Sequence, residues 1–410
     1  MNYCRHCGAE LSHVFLDLGY APPTNDYLSK DDLSRPEVTF PLKIYVCDRC
    51  WLVQTEDYSQ CQEIFRNDYA YFSSVSGSWL QHASDYVAMI TRRLALTRES
   101  FVIELASNDG YLLRNFVASG IPCLGIEPTG GTAEAAEKAG IEVMREFFGG
   151  TVARGLAEKG RQADLIIGNN VYAHVPDIND FTAAMKIALK PGGTITLEFP
   201  HLLNLMRLNQ FDTVYHEHYS YLSLQFVQRI FSHHGLKVYD VEELPTHGGS
   251  LRVYGCHAED PKVVSESVLE LLSTENAEGM ANLSVYQAFQ AKADRVKNDF
   301  VAFLIEQKRL GKTVGAYGAA SKGSTLLNYG GVKPDLMPYV CDAAPSKQGK
   351  YLPGSHVPIL PPSALAELAP DYVVIFPWNI AEEIKRQLDY VKTWGGKFIT
   401  AVPELQIHEA

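Results

Sequence analysis

Four cysteines in two Cys-x-x-Cys pairs, Cys4/Cys7 and Cys47/Cys50, constrain this chain more than any other feature. They frame residues 1 to about 75, a stretch rich in turns, Pro and aromatics with no long helical period. So short a stretch buries too little apolar surface to hold itself closed and needs a staple. Four thiolates in two knuckles suit Zn2+, whose structural sites are tetrahedral and leave no open position for a substrate. The 39 residues between the pairs exceed the usual ribbon spacing, and free thiols in a loop-rich module are the alternative. His6, inside the first knuckle, reads as a surface residue. The N-terminus shows no apolar export signal, so a reducing, cytoplasmic setting is expected. Cys123 and Cys341, in apolar runs, read as small core residues.

Beyond residue 75 the texture changes. Phe101–Leu105, Pro122–Ile126, Ile141–Met144, Asp164–Gly168 and Thr194–Phe199 are short buried strands, separated by helical segments at about 110–117, 131–139 and 179–189. Pro191-Gly-Gly193 reads as a turn. This alternation predicts a doubly wound, Rossmann-like parallel sheet. Ser223–His234 reads as a further helix, and 236–239 with 251–254 as a closing pair of strands. Residues 262 to about 310 are helical with a break near Glu278-Gly279. They lead into a second α/β unit with strands at 313–317, 336–341 and 371–376 and a glycine-bearing turn at Gly318–Gly323. The expected fold is α/β in three parts: 1–75 a zinc-binding module, 76–258 a cofactor-binding domain, 259–410 a C-terminal Rossmann-like domain. The 410 residues carry a net charge of −12, which argues against nucleic acid as a partner. No apolar run approaches the length of a membrane span. A monomer is favoured.

Three stretches carry the chemistry. Glu104-Leu-Ala-Ser-Asn-Asp-Gly110 follows a buried strand and opens a helix, where a doubly wound fold binds a nucleotide-like cofactor. Ala106 and Asn108 stand where glycines often sit, beside Gly110, and an ordinary strand–loop–helix turn is the alternative. Glu127, followed by Pro128, ends the next strand, where a carboxylate can accept both ribose hydroxyls of an adenosine. The acidic turn repels a pyrophosphate. It suits S-adenosylmethionine, which has no phosphate and carries an amine and a sulfonium that Glu104 can meet. Asn169-Asn170, at the end of a later strand, reads as further lining of the cofactor site, while His174 is either functional or a surface residue. Tyr215-His216-Glu217-His218 places four titratable side chains in a row. General acid/base work, metal binding and a solvated loop all fit it, and an extended conformation puts His216 and His218 on one side.

In this order the motifs resemble the S-adenosylmethionine-dependent C-methyltransferases of nucleotide-linked deoxysugars. The likeness runs over nearly the whole chain: both knuckles, Asp68–Ser74, Glu-x-x-Ser-Asn-Asp-Gly, Asn-Asn-x-x-x-His, Tyr-His-Glu-His, His247–Ser250, Gly318–Gly323 and Pro377–Asn379. The resemblance implies methylation at C3 of a nucleotide-diphosphate-linked 4-keto-6-deoxyhexose. It implies His218 as the base that removes the C3 proton, with Glu217 and Tyr215 orienting it or the sugar, and His174 and Tyr69 stabilising the enolate. It also implies sugar-nucleotide contacts from Tyr71, His216, His247, Gly249, Trp378 and Asn379. Lys322 either meets the diphosphate or caps a helix at the surface. An imidazole near its ordinary pKa of about 6.5 is suitably basic. Two rival readings stay open: a nicotinamide-dependent sugar-nucleotide oxidoreductase, and a non-catalytic zinc-stapled binding protein.

Overall fold

The computed structural model describes residues 3–56, 72–75 and 77–409. The stretch before residue 56 is more regular than its composition suggests. β1 (His13–Ala21), β2 (Phe40–Val46) and β3 (Val53–Thr55) form an antiparallel sheet. Its fourth strand, β9 (Ser220–Tyr221), comes from far down the chain and pairs with β3. Turn-forming residues between the strands hid the period-2 pattern: Leu42, Ile44 and Val46 of β2 are buried, and Pro41, Lys43 and Tyr45 are not. The sheet buries little by itself. Phe15 stacks on Phe289 with ring centroids 4.7 Å apart, inside a core shared with the long helix Phe289–Arg309 and the helix Ser321–Tyr329.

The central sheet has seven strands. β4 (Val102–Leu105), β5 (Cys123–Ile126), β6 (Glu142–Met144), β7 (Ala163–Asn169) and β8 (Leu189–Pro200) are parallel, and β10 (Leu236–Leu244) and β11 (Ser250–His257) complete it. The order is β10-β11-β8-β7-β4-β5-β6, with β11 antiparallel to both of its neighbours. Strand order reverses between β4 and β7, so a crevice opens beyond their carboxyl ends, where such sheets bind ligands. β8 continues through the Pro191-Gly-Gly193 segment expected as a turn. Ala163 pairs with Leu189 but Leu165 with Thr194, so the intervening residues bulge, and Gly192 takes φ +81°.

The C-terminal sheet runs β14 (Ile359–Leu360), β13 (Val340–Cys341), β12 (Val314–Tyr317), β15 (Tyr372–Ile375), β16 (Lys397–Thr400), β17 (Gln406–Glu409), parallel except for β17. β13 keeps only two residues of the strand expected over 336–341. Among the described residues no helix is long and apolar enough to cross a membrane.

Candidate active site

Each cysteine pair sits in the same local turn. Cys4 N–H donates to the Ala9 carbonyl and Gly8 N–H to that of Cys4; Cys47 N–H donates to Leu52 and Trp51 N–H to Cys47, at 2.7–2.9 Å. The fifth residue of each turn is left-handed: Gly8 at φ +70°, Trp51 at φ +64°. A non-glycine residue there costs roughly 1–2 kcal/mol, which the second knuckle bears. The turns bring the four sulfurs within 4.8 Å of one another, with Cys4–Cys50 and Cys7–Cys47 at 3.5 Å. A tetrahedral zinc with bonds of about 2.3 Å needs sulfurs roughly 3.8 Å apart, and the cluster fits.

A cavity of about 590 Å³ opens beyond the carboxyl ends of β4 and β7 and extends to the C-terminal sheet. Its lining brings together Ala106, Asn108, Glu127, Pro128, Asn169 and Asn170, six of the residues expected from the sequence to meet the cofactor. The turn after β4 is held by left-handed Ala106 (φ +54°) and Asn108 (φ +50°). Glu127 fastens it: one carboxylate oxygen accepts Asn108 N–H at 2.8 Å, the other accepts Thr129 N–H at 2.9 Å and the Thr129 hydroxyl. Glu104 lies behind this lining and is fully buried. Burial, then the charges of Glu127 and Asp109, push its pKa well above the ordinary carboxylate value. Among the described residues, Glu104 Oε2, Ser107 Oγ, Asp109 Oδ1, Asn169 Oδ1 and both polar side-chain atoms of Asn170 are buried without a partner. Orphaned polar atoms of this kind mark a ligand site. Three clustered carboxylates suit a ligand bearing amine, sulfonium and hydroxyls, as S-adenosylmethionine does. Gly110 is a correction: it does not line the cavity. Its φ is +74°, and a Cβ there would run into the Ile141 and Ala136 side chains, so it serves helix–sheet packing.

Tyr215, Glu217, His218, His174, His247 and Lys322 share the other end of the cavity. The His218 ring centroid lies 4.0 Å from that of Tyr215 and 4.7 Å from that of His174. A carbonyl only accepts, so the contacts of these imidazoles define their tautomers. His218 Nδ1–H donates to the Thr213 carbonyl at 3.0 Å and His174 Nδ1–H to that of Glu217 at 2.9 Å. Each neutral ring therefore presents an unprotonated Nε2. Burial, then repulsion from His174, drives the His218 pKa well below the ordinary value, and burial takes His174 and His247 down to about 4. Two expectations change. His218 is a neutral, weaker base than an imidazole near 6.5, and neutral His174 has no Nε2–H to give an enolate. Lys322 is a cavity residue and not a surface cap. Burial lowers its pKa while buried Asp212 raises it. Asp212 in turn accepts Trp378 Nε1–H at 2.8 Å, and burial pushes its carboxyl up to about 7.

His216 is a further correction. Residues 215–218 form a turn, with His218 N–H donating to the Tyr215 carbonyl, and not an extended strand. His216 therefore points away from the cavity, against Phe40, with Nε2 3.2 Å from the Pro41 carbonyl. Gly249, Trp378 and Asn379 also lie outside the lining. A Cβ on Gly249 would meet Asn204, and the Trp378 ring packs over Gly248. Tyr69 and Tyr71 fall outside the described residues. The sequence reading missed Asn25, Tyr27, Trp79, Thr213 and Lys347, all of which line the cavity. Asn25 Nδ2 donates to Glu217 Oε1 at 2.7 Å, and Tyr27 OH to the Ala319 carbonyl at 2.8 Å. No local motif announces a pairing across nearly 200 residues. Among the described residues the Tyr215–His218 run belongs to no group able to hold a metal.

Residues 4–65 match a zinc binding domain, 79–241 a methyltransferase domain and 245–403 a C-methyltransferase C-terminal domain. The C-methyltransferase NovU of Streptomyces niveus is 34% identical over 408 residues, 99% of this chain and 97% of that protein. Among solved structures, a magnesium protoporphyrin IX methyltransferase of Synechocystis PCC 6803 with bound SAH aligns at TM-score 0.35 and 16% identity, covering 43% of this chain and 82% of that one. A SAM-dependent methyltransferase of Thermotoga maritima aligns at TM-score 0.36 and 15% identity, covering 49% and 100%.

Proposed function

The chain belongs to the S-adenosylmethionine-dependent C-methyltransferases, and from that premise we propose that it methylates C3 of a nucleotide-diphosphate-linked 4-keto-6-deoxyhexose. One observation carries the reading: an unprotonated imidazole nitrogen of His218 shares a cavity with Tyr215, Glu217 and Lys322, and that cavity is continuous with the acidic cofactor crevice. The ketone at C4 acidifies the C3 hydrogen. His218 Nε2 takes that proton, and the electron pair moves onto the C4 oxygen. Charge developing there needs a donor. Lys322 supports this step if its ammonium faces O4, and the Tyr215 hydroxyl is the neutral alternative. S-adenosylmethionine, when bound, supplies the electrophilic methyl group that the activated carbon takes. Glu104 holds its cationic portion and Glu127 its ribose hydroxyls. Glu217, fixed by Asn25, orients the sugar or His218. Lys347 and the amino-terminal end of the helix Ser321–Tyr329, where Ala320 and Ser321 line the cavity, suit the diphosphate. His247 is the remaining sugar contact. In this reading residues 1–75, 76–258 and 259–410 are the zinc-binding, cofactor-binding and sugar-nucleotide-binding parts.

The test is mass spectrometry after incubation with labelled methyl donor and a panel of 4-keto-6-deoxy sugar nucleotides differing in base and in the C3 substituent. A labelled product with the methyl on C3 is expected from at least one member. Transfer only to oxygen or nitrogen, or no transfer to any sugar nucleotide, overturns the reading.

A further inference from the structure

The segment carrying Tyr215 to His218 is gripped by the zinc-binding module. β3 leaves the second knuckle and pairs with β9, which starts two residues after His218: Val53 lies opposite Tyr221 and Gln54 opposite Ser220. Successive residues of a strand face opposite ways, and here the two faces serve two sites. Gln54, 1% exposed, turns toward the knuckle: its Nε2 donates to Cys4 Sγ at 3.2 Å, and its Oε1 accepts Arg5 N–H at 2.9 Å. Thr55 turns toward the catalytic segment. Its amide donates to the Tyr219 carbonyl at 3.1 Å and its hydroxyl to the His218 carbonyl at 3.3 Å. Arg5, between the two cysteines of the first knuckle, closes the frame by donating to the Thr55 and Pro176 carbonyls at 2.8 Å. On the far side Tyr219 N–H donates to the Ala173 carbonyl at 2.8 Å.

A staple that only closed the module needs no bonded path from a thiolate to His218. We propose that Gln54 and Thr55 are positioning residues, which carry the geometry of the zinc knuckle to the His218 imidazole, so that the metal site governs turnover as well as folding. The proposal rests on the reading of His218 as base. Its physical ground is that a misplacement of about 1 Å at a reacting group can cost on the order of 100-fold in rate, and a hydrogen bond to a metal-bound sulfur fixes that ligand's orientation.

Gln54→Leu and Thr55→Val keep side-chain bulk and the backbone ladder. Each is expected to lower kcat about tenfold on the sugar nucleotide that serves best in the panel above. The KM, the Kd for S-adenosylmethionine and a zinc content near one per chain should stay within about twofold. Thr55→Ser, which keeps the hydroxyl, should restore kcat. A readout that needs no substrate is the titration of the His218 ring, followed by its C2 proton signal: it should move toward 6.5 in both variants as the ring loosens. Wild-type kcat and an unmoved His218 titration in both variants overturn the proposal. So does a fall in kcat that only tracks lost zinc or lost folded protein. His218→Asn, measured alongside, separates the two claims. If it alone is inactive, only the positioning role fails; if it is active, the reading of the base fails.

Discussion

Replacing Glu104 by Gln keeps the shape of a buried side chain and removes its ability to carry charge. In the wild type, Oε2 has no partner among the described residues and the pKa is held well above the ordinary carboxylate value, by burial first and then by Glu127 and Asp109. Below that raised pKa the free protein carries Glu104 protonated. A bound ammonium or sulfonium favours the ionised form, so binding expels a proton. The sign follows from linkage: affinity for S-adenosylmethionine rises with pH up to the raised pKa, by at most tenfold per pH unit, and levels off above it. A hydrogen bond to a charged group contributes about 1.5–3 kcal/mol. Glu104→Gln should therefore weaken binding on the order of 10- to 150-fold where the wild-type carboxylate is ionised, and it should abolish the pH slope. Calorimetry of S-adenosylmethionine binding between pH 5 and 7, in buffers of different ionisation enthalpy, counts the protons released. A wild-type Kd that does not change with pH, or equal proton release from both proteins, refutes the reasoning.

His218→Asn should cost about 10² to 10⁴ in turnover with little change in either ligand's Kd, whereas His216→Asn, which faces Pro41, should be milder. Retention of more than about a tenth of the rate by His218→Asn moves the base elsewhere, with His174 next in line. Because burial lowers the His218 pKa and a base works unprotonated, kcat/KM for the sugar nucleotide at saturating S-adenosylmethionine should stay level as pH falls through 6.5; an acid limb centred at or above 6.5 contradicts this. His174 and His247 have folded pKa values of about 4, so the stability they favour is present above 6.5 and lost as pH falls from 6.5 toward 4. The melting temperature should drop across that window, and a flat profile counts against buried neutral imidazoles. Cys47→Ser should lower melting temperature and solubility, and elemental analysis of freshly purified wild type showing under about half an equivalent of zinc removes the basis for it.

What was legible in the sequence was what local chemistry encodes. Cys4, Cys7, Cys47 and Cys50 announce themselves by spacing, and the place of Glu127 in the cavity lining by its position at the end of a buried strand. The strand–helix alternation gave the central sheet because each apolar run has one burial solution. The side to which His216 faces was not legible, because alternation assumes a strand, while the bond from His218 N–H to the Tyr215 carbonyl makes a turn. Gly110 was assigned to the cofactor when its missing side chain makes room for Ile141. Asn25 and Lys347 escaped because their value lies in partners remote in sequence: Asn25 meets Glu217, and Lys347 meets the Ala319 carbonyl. The depressed pKa values of His174 and His218 likewise belong to their burial in the folded chain and not to the residues.

The sharing of one core between Phe15 and Phe289 has a consequence during synthesis. About 270 residues separate the two, and at roughly 5–20 residues per second a ribosome needs about 15–55 s to supply the second after the first. For that interval the apolar face of β1 and β2 is made but lacks the long helix that completes its cover. The four cysteines are all available once residue 50 has emerged, so the ion can be captured long before the hydrophobic partner arrives. Scarcity of zinc in the growing cell would then show first as loss of nascent chains, while enzyme already assembled persists.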